Sequence, residues 1–506
     1  MDAAYSAING AIGLIVPEVI LIATVCVTFA ICPFLVNERG QAAAGLRNRW
    51  GLLSLIGLAA AAITWWNSSP ALTTEGPFRI DDLVFYTRLT SFTLGFALVL
   101  VMWGQVEDAV SGECMACLLA VLAGANLVAA SNDIITLFLA LELVSIPTYL
   151  LLYLPRRDTA SREATVKYFL LSIFSSGVLL LGLAYLFGVS GTTNLQGIHD
   201  VLASGQTTGG LPVLLLALAL ILVGLSFRVT AVPFHFYAPD VFQGIAPACA
   251  AMLSFVPKVV GIVALFRVAQ AMSLLSPNSD SGSSSLATVQ MTLVAGMAVM
   301  TMFVGNLLAL RQRNVARLMA YSSVAHAGYM LVGFSAMAPG AMTSGIGAVL
   351  FYLAIYGLAT VGVFGVVVAI SDPKRPVTTI DDFAGLSKAH PLAAILMAVL
   401  LFGLTGLPPT AGFLGKLSLF LSAWSQGSEL GRWLAMAMAL NAAISAWYYL
   451  RLVSVMYLQP NSQLGSGKLQ LPAIVGSSMC AVATLVLFVS PQWLWKLAEN
   501  VGKLAG

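Results

Sequence analysis

The chain has 506 residues, of which 59% are hydrophobic and only 9% charged, and its net charge is +3 at neutral pH. Soluble domains carry roughly 25% charged residues, so composition excludes a soluble globular protein and implies helices stacked in a bilayer. The small positive balance, with no basic run, gives no support to nucleic-acid binding.

A membrane-crossing helix needs about 20 mostly apolar residues. On that rule the sequence predicts an all-α polytopic membrane protein of fourteen spans. The first three centre near Ile20, Leu58 and Leu98, making residues 1–112 an N-terminal three-helix segment. The opening "MDAAYSAING" lacks a basic n-region, so the first apolar segment is expected to stay as a span. Residues 113–270 hold five spans, near Val121, Leu141, Val178, Leu218 and Met252. Residues 288–457 hold five more, near Met297, Met330, Val361, Leu401 and Ala442. A final span near Val482 and a tail occupy 458–506.

Six cysteines lie mostly inside apolar runs, and only Cys114 and Cys117 form a CxxC. Without a second pair or a βαβ context that spacing reads as structural. An iron–sulfur site would need four thiolates together.

Loop charges set the orientation, since cytoplasmic loops are rich in lysine and arginine. Loops that join odd to even spans hold thirteen: Arg39, Arg47, Arg49, Arg156, Arg157, Arg162, Arg311, Arg313, Arg317, Lys374, Arg375, Lys388 and Lys468. The opposite side holds five: Arg79, Arg88, Arg432, Lys496 and Lys503. Both termini are therefore expected on the non-cytoplasmic side. Lys167, Arg228, Lys258, Arg267, Lys416 and Arg451 are left inside spans or at their ends.

Glu142 lies near the middle of span five and Lys258 near the middle of span eight, just after Pro257. Lys416 follows "GLPPTAGFLG" in span twelve, and Arg228 precedes Pro233 in span seven. Each charge costs about 2.5–3.5 kcal/mol at mid-bilayer, so the four would cost about 10–14 kcal/mol if they faced lipid. They are expected to face the interior, to pair, or to line water. Other charges have simpler readings. Lys167 stands four residues after Glu163, a stabilising helical pair. Arg267 and Arg451 are close enough to span ends to snorkel, and Glu18 reads as a helix-start carboxylate.

Two spans are interrupted by proline, at "TAVPFHFYAP" (near 228–240) and "LTGLPPTAGF" (near 406–416). Proline removes a backbone donor, and such breaks persist in membranes only where neighbours or a cavity satisfy the freed groups. The broken spans are the fourth of each five-helix block. An odd number of spans per block makes the two copies inverted repeats around an ion path. Buried lysines beside carboxylates suit proton transfer, because desolvation and a nearby charge move their proton affinity in opposite directions. His235 at the first break and His326 in span ten are candidate relays, or neutral hydrogen-bonding groups. Ser322, Ser323 and Tyr329 could support a water wire, although intramembrane serines also bond to their own helix.

Several long stretches carry a specific resemblance: "FHFYAPDVFQGIAPACAAMLSFVPK", "NVARLMAYSSVAHAGYMLVG", "GLSKAHPLAAILMAVLLFGLTGLPPTAGFLGKLSLF", "NDIITLFLALELVSIPTYLLL" and "SREATVKYFLLSIFSSG". Over roughly 132–457 the chain resembles the antiporter-like subunit N (subunit 2) of respiratory complex I. The sister subunits L and M, and multisubunit cation/proton antiporters, are more distant. The resemblance implies a proton-translocating membrane-arm subunit of an NADH–quinone oxidoreductase. Its partners would be sister antiporter-like subunits and quinone-site subunits. NADH, FMN, iron–sulfur clusters and quinone would be bound in those partners, with no cofactor or metal in this chain. Carried over by position, the proton path comprises Glu142, Lys167, Arg228, Lys258 and Lys416. Family members have lysine where Arg228 stands. Arginine is effectively never deprotonated, so here it fixes a field or pairs with Glu142, and either Lys167 or water takes over the transfer or this half-channel does not pass protons. A cation/proton antiporter subunit and a non-pumping subunit of the same fold remain as alternatives. The absence of an organelle presequence points to a bacterial inner membrane.

Overall fold

In lipid a backbone satisfies its polar groups only as a helix or a closed barrel, and the described residues take the helical solution. The computed structural model describes residues 12–36, 42–68, 76–205, 210–272, 283–335, 345–372, 376–460 and 469–503. Its N-terminal segment is α1 (Val16–Ile31), α2 (Leu46–Trp66) and α3 (Asp82–Gln105). Next come α4 (Ser111–Ala130), α5 (Ile134–Tyr153), α6 (Thr159–Ser190), the short α7 (Leu195–Ser204), α8 (Gly210–Val229), α9 (Ala238–Gly244) and α10 (Pro247–Ala271). The second half holds α11 (Ser283–Leu310), α12 (Val315–Ser335), α13 (Gly345–Ile370), α14 (Pro391–Thr405), α15 (Ala411–Trp424) and α16 (Glu429–Leu458). The chain ends with α17 (Leu471–Val489) and α18 (Gln492–Lys503).

All fourteen residues predicted at span centres lie in helices. Among the described residues, twelve helices are long and apolar enough to cross a membrane. α12, which carries Arg317, three serines and His326, falls outside that set, and the twelfth predicted span is two short helices, α14 and α15. Helices α4, α10 and α13 are buried over almost their whole length, as expected of helices apolar on every face. α6, α8 and α16 turn apolar faces outward, with Phe174, Leu216 and Trp447 exposed. Cys114 and Cys117 are buried and unbridged.

Two backbone bridges recur. Asp133, which caps α5, pairs with Asn194 before α7, with Ile134 N donating to Thr193 O and Leu195 N to Asn132 O, both at 2.9 Å. Asn314, which caps α12, pairs with Thr379, with Val315 N donating to Thr378 O and Ile380 N to Arg313 O, again at 2.9 Å. By chain order the first joins even-to-odd loops and the second joins odd-to-even loops.

Three sequence expectations need correction. Arg88 is not a loop charge: it is buried in α3 and donates from Nε and Nη2 to both Glu18 oxygens at 2.8 Å. Glu18 is thus half of a buried ion pair rather than a simple helix-start carboxylate. Arg267 does not snorkel. It is buried, and its guanidinium holds Asp81 at 2.6 and 2.9 Å and Ala129 O at 2.9 Å. An arginine this deep pairs because a lone buried charge is far costlier. The first break begins at Thr230, inside the stretch where it was expected and three residues before Pro233.

Candidate functional site

The two breaks end their first halves alike. After α8, Thr230 takes φ 64°, with Thr230 N donating to Phe227 O (3.1 Å) and Ala231 N to Ser226 O (2.9 Å). After α14, Gly406 takes φ 84°, with Gly406 N donating to Gly403 O (3.2 Å) and Leu407 N to Phe402 O (3.0 Å). Both are left-handed helix ends of the Schellman type. Such ends leave carbonyls at the negative pole of a half-helix, and each break gives one to a lysine. Lys258 Nζ donates to Val229 O at 2.9 Å and to Thr230 Oγ1 at 2.5 Å. Lys416 Nζ donates to Thr405 O at 2.9 Å. Both lysines are buried.

Glycines within about a turn of each lysine allow this approach. A Cβ on Gly261 would lie 2.7 Å from Val229 Cγ2, and one on Gly412 would lie 1.8 Å from Gly403 O. Without those close backbone crossings the ammonium groups could not reach the helix ends.

His326 and a set of hydroxyls lie among the lysines. Lys258 Nζ is 5.9 Å from the Tyr356 ring, and Lys416 Nζ is 5.1 Å from that of Tyr329. The Tyr356 hydroxyl lies 2.9 Å from Ser323 Oγ and its ring 5.0 Å from that of His326. His326 Nδ1 bonds the Tyr352 hydroxyl, and its Nε2 lies 2.9 Å from that of Tyr449, which also bonds Ser322. Its ring centroid is 5.5 Å from that of Tyr329. Asn306 Nδ2 donates to Tyr329 (3.1 Å) and to Asn441 Oδ1 (3.0 Å), and Tyr448 donates to Asn306 Oδ1 (3.0 Å). The aromatic groups thus bring Lys258, His326 and Lys416 into one buried polar row.

Glu142 and Arg228 form a separate cluster. Arg228 Nη2 donates to Glu142 Oε1 and Ser176 Oγ, both at 3.2 Å, while Nη1 donates to Ser145 Oγ (2.9 Å) and Leu141 O (3.3 Å). Ser176 donates to Glu142 at 2.6 Å. Arg228 is buried and Glu142 half-buried. Lys167 is not part of either cluster. It is part-exposed and pairs with Glu163 at 2.7 Å, as its spacing predicts, and with Asp240 at 3.4 Å. His235 stands apart too, its buried Nδ1 without a hydrogen-bond partner.

Sequence reasoning missed Asp240, which joins Lys167 of α6 to Arg317 of α12 (2.7 Å). Arg317 also donates to Gln243 at 3.0 Å. Gln243 lines a cavity of about 470 Å³ with Gln105, Asn314, Ser371 and Thr378. The available signal was an acid immediately after a helix break. The tyrosines at 352 and 356, and the adjacent pair 448 and 449, were equally readable as polar groups one turn apart or side by side in apolar runs.

Residues 131–445 match the family described as NADH:quinone oxidoreductase/Mrp antiporter, transmembrane, and the chain belongs to that family. Within it, the chain is 35% identical to the NADH-quinone oxidoreductase subunit N of Trichlorobacter lovleyi, over 90% of each chain. It is 34% identical to the subunit of the same name from Anoxybacillus flavithermus, over 95% of this chain and 94% of that one. Among solved structures it resembles a chain of respiratory complex I from Thermus thermophilus with bound aureothin. The TM-score is 0.77 at 27% identity, covering 96% of this chain and 99% of that one. A chain of the Mrp complex from Dietzia sp. DQ12-45-1b gives a TM-score of 0.77 at 21% identity, covering 96% and 97%, a likeness in fold alone.

Proposed function

We propose that this chain is a membrane-arm subunit of a proton-translocating NADH–quinone oxidoreductase, in which Lys258, His326 and Lys416 carry the moving proton. The observation that carries this reading is the pair of buried lysines, each resting on the broken end of a helix and each against a tyrosine ring that packs on His326. A lysine in that position can gain or lose a proton as the field around it changes. The names of the relatives supply the reaction to which the transfer is coupled.

Arg228 is a fixed cation in this scheme. With four acceptors around its guanidinium it ties Glu142, Ser145, Ser176 and Leu141 O together and passes no proton itself. A change in the Glu142–Arg228 contact, driven from neighbouring subunits, alters the field at Lys258 and then at Lys416. Lys167, Asp240 and Arg317 lie beside the vestibule formed at Gln243 and are suited to proton uptake. His235 has a lesser claim, being outside the cluster around His326. The two five-helix blocks are inverted repeats in this reading, the bridges at Asp133 and Asn314 being their matching corners. The chain lies in a bacterial inner membrane with both termini on the non-cytoplasmic side. NADH, FMN, iron–sulfur clusters and quinone belong to its partner subunits.

The test of assembly is to tag the chain, solubilise the native membrane gently, and assay NADH–quinone reductase in whatever co-purifies. An active assembly with sister antiporter-like and quinone-site subunits is expected. Purification with only small antiporter-type partners and no reductase activity would contradict it.

A further inference from the structure

Left-handed backbone brings Cβ against the following carbonyl, so such positions fall to glycine, and a β-branched residue there is an outlier. Among the described residues eight glycines have positive φ, and one other residue does: Thr230, at 64°. The second break shows that the turn itself needs no side chain. Gly406 occupies the same left-handed position and closes it with the same backward hydrogen bonds. Threonine at 230 therefore calls for a reason beyond the turn, since backbone strain persists where surroundings over-determine it and is concentrated at functional sites.

The Thr230 hydroxyl supplies one. It is buried, accepts from Lys258 Nζ, and donates to Val229 O. Lys258 thus rests on a carbonyl and a hydroxyl, whereas Lys416 rests on the carbonyl of Thr405. The two acceptors differ in kind. A carbonyl only accepts, but a hydroxyl accepts from an ammonium and can rotate to donate to the lone pair of a neutral amine. We propose that Thr230 is a positioning residue that keeps the Lys258 amine docked at the first break in both of its protonation states, making Lys258 the better-held of the two lysines. The inference rests on the proton-moving reading above and adds a residue to it. Strain and hydroxyl then have one explanation: the threonine is retained against a local backbone cost because glycine would leave the neutral amine without a donor.

The test uses the assembled complex in sealed vesicles, reading protons moved per electron transferred alongside the unfolding temperature. Thr230→Gly is expected to unfold at a higher temperature than wild type while its proton-to-electron ratio falls toward that of Lys258→Met. Thr230→Ser, which restores the hydroxyl, is expected to pump at the wild-type ratio. Should the glycine variant not assemble, Thr230→Ala removes the hydroxyl and is compared with the serine variant in its place. A wild-type ratio in the variants without a hydroxyl, with Lys258→Met impaired, overturns the role of Thr230 and leaves the proton-moving role of Lys258 standing. A serine variant as impaired as the others also overturns it. If Lys258→Met itself pumps at the wild-type ratio, the reading of Lys258 fails and the inference with it.

Discussion

A guanidinium donates in a fixed planar fork, and Arg228 uses that fork to tie α8 to α5 and α6 through Glu142, Ser145 and Ser176. Arg228→Lys is expected to keep proton pumping, because a cation remains beside Glu142, and Arg228→Ala to lose it. Unchanged pumping in the alanine variant would make Arg228 purely structural. Asp81 tests a different kind of charge. Burial pushes its carboxyl up, but Arg267 and Arg79 outweigh that and hold it below its usual range. A depressed carboxylate stabilises the fold above its unfolded pKa, about 3.9, and that contribution is lost as pH falls through the folded value. Arg267→Leu leaves Asp81 with Arg79 alone, at 3.1 Å, and should cost up to about 3–5 kcal/mol of stability, read as a lowered unfolding temperature at neutral pH. The difference from wild type should shrink in acid, and a pH-independent loss would contradict the pairing. Sequence alone exposed Glu142, Lys258 and Lys416, because a charge inside an apolar run is conspicuous. It could not supply the partners. Asp81 and Arg267 are 186 residues apart, and Glu18 and Arg88 are 70 apart, so no local spacing connects them.

At the scale of elements, the existence of both breaks was readable from proline, but the start of the first was not. Proline suggests a stop at Pro233, yet α8 ends at Val229 because Thr230 already adopts a left-handed turn. Helix ends are decided by which residue leaves helical geometry, and no residue type signalled that at a threonine. Helices α7 and α18 were missed because each is shorter than a span, at 10 and 12 residues. The second break yields a direct prediction. Gly412→Val would drive a branched side chain into Gly403 O and separate α14 from α15, pulling Lys416 off Thr405 O. Loss of pumping is expected, together with destabilisation. Gly13→Val serves as the control, since nothing lies within 4 Å of a Cβ there. Equal behaviour of the two variants would remove the close crossing from the account.

For the whole molecule, the fold class was open to sequence reasoning because apolar length dictates helices in a bilayer. Orientation rests on loop charge, and it survives the removal of Arg88 from the sparse side. Cysteine labelling checks it on a cysteine-free background. Arg157→Cys, exposed before α6, should react from the cytoplasmic face, and Glu429→Cys, exposed at the start of α16, from the opposite face. The reverse pattern would invert the chain and exchange the two ends of the proton path. The central claim is that the lysines at the two breaks move protons. Its most direct test is the proton-to-electron ratio of the reconstituted complex carrying Lys258→Met or Lys416→Met, with NADH–quinone electron flow measured in the same vesicles. The account predicts a ratio below wild type for each variant. Wild-type ratios in both, in complexes that assemble and transfer electrons, would contradict it.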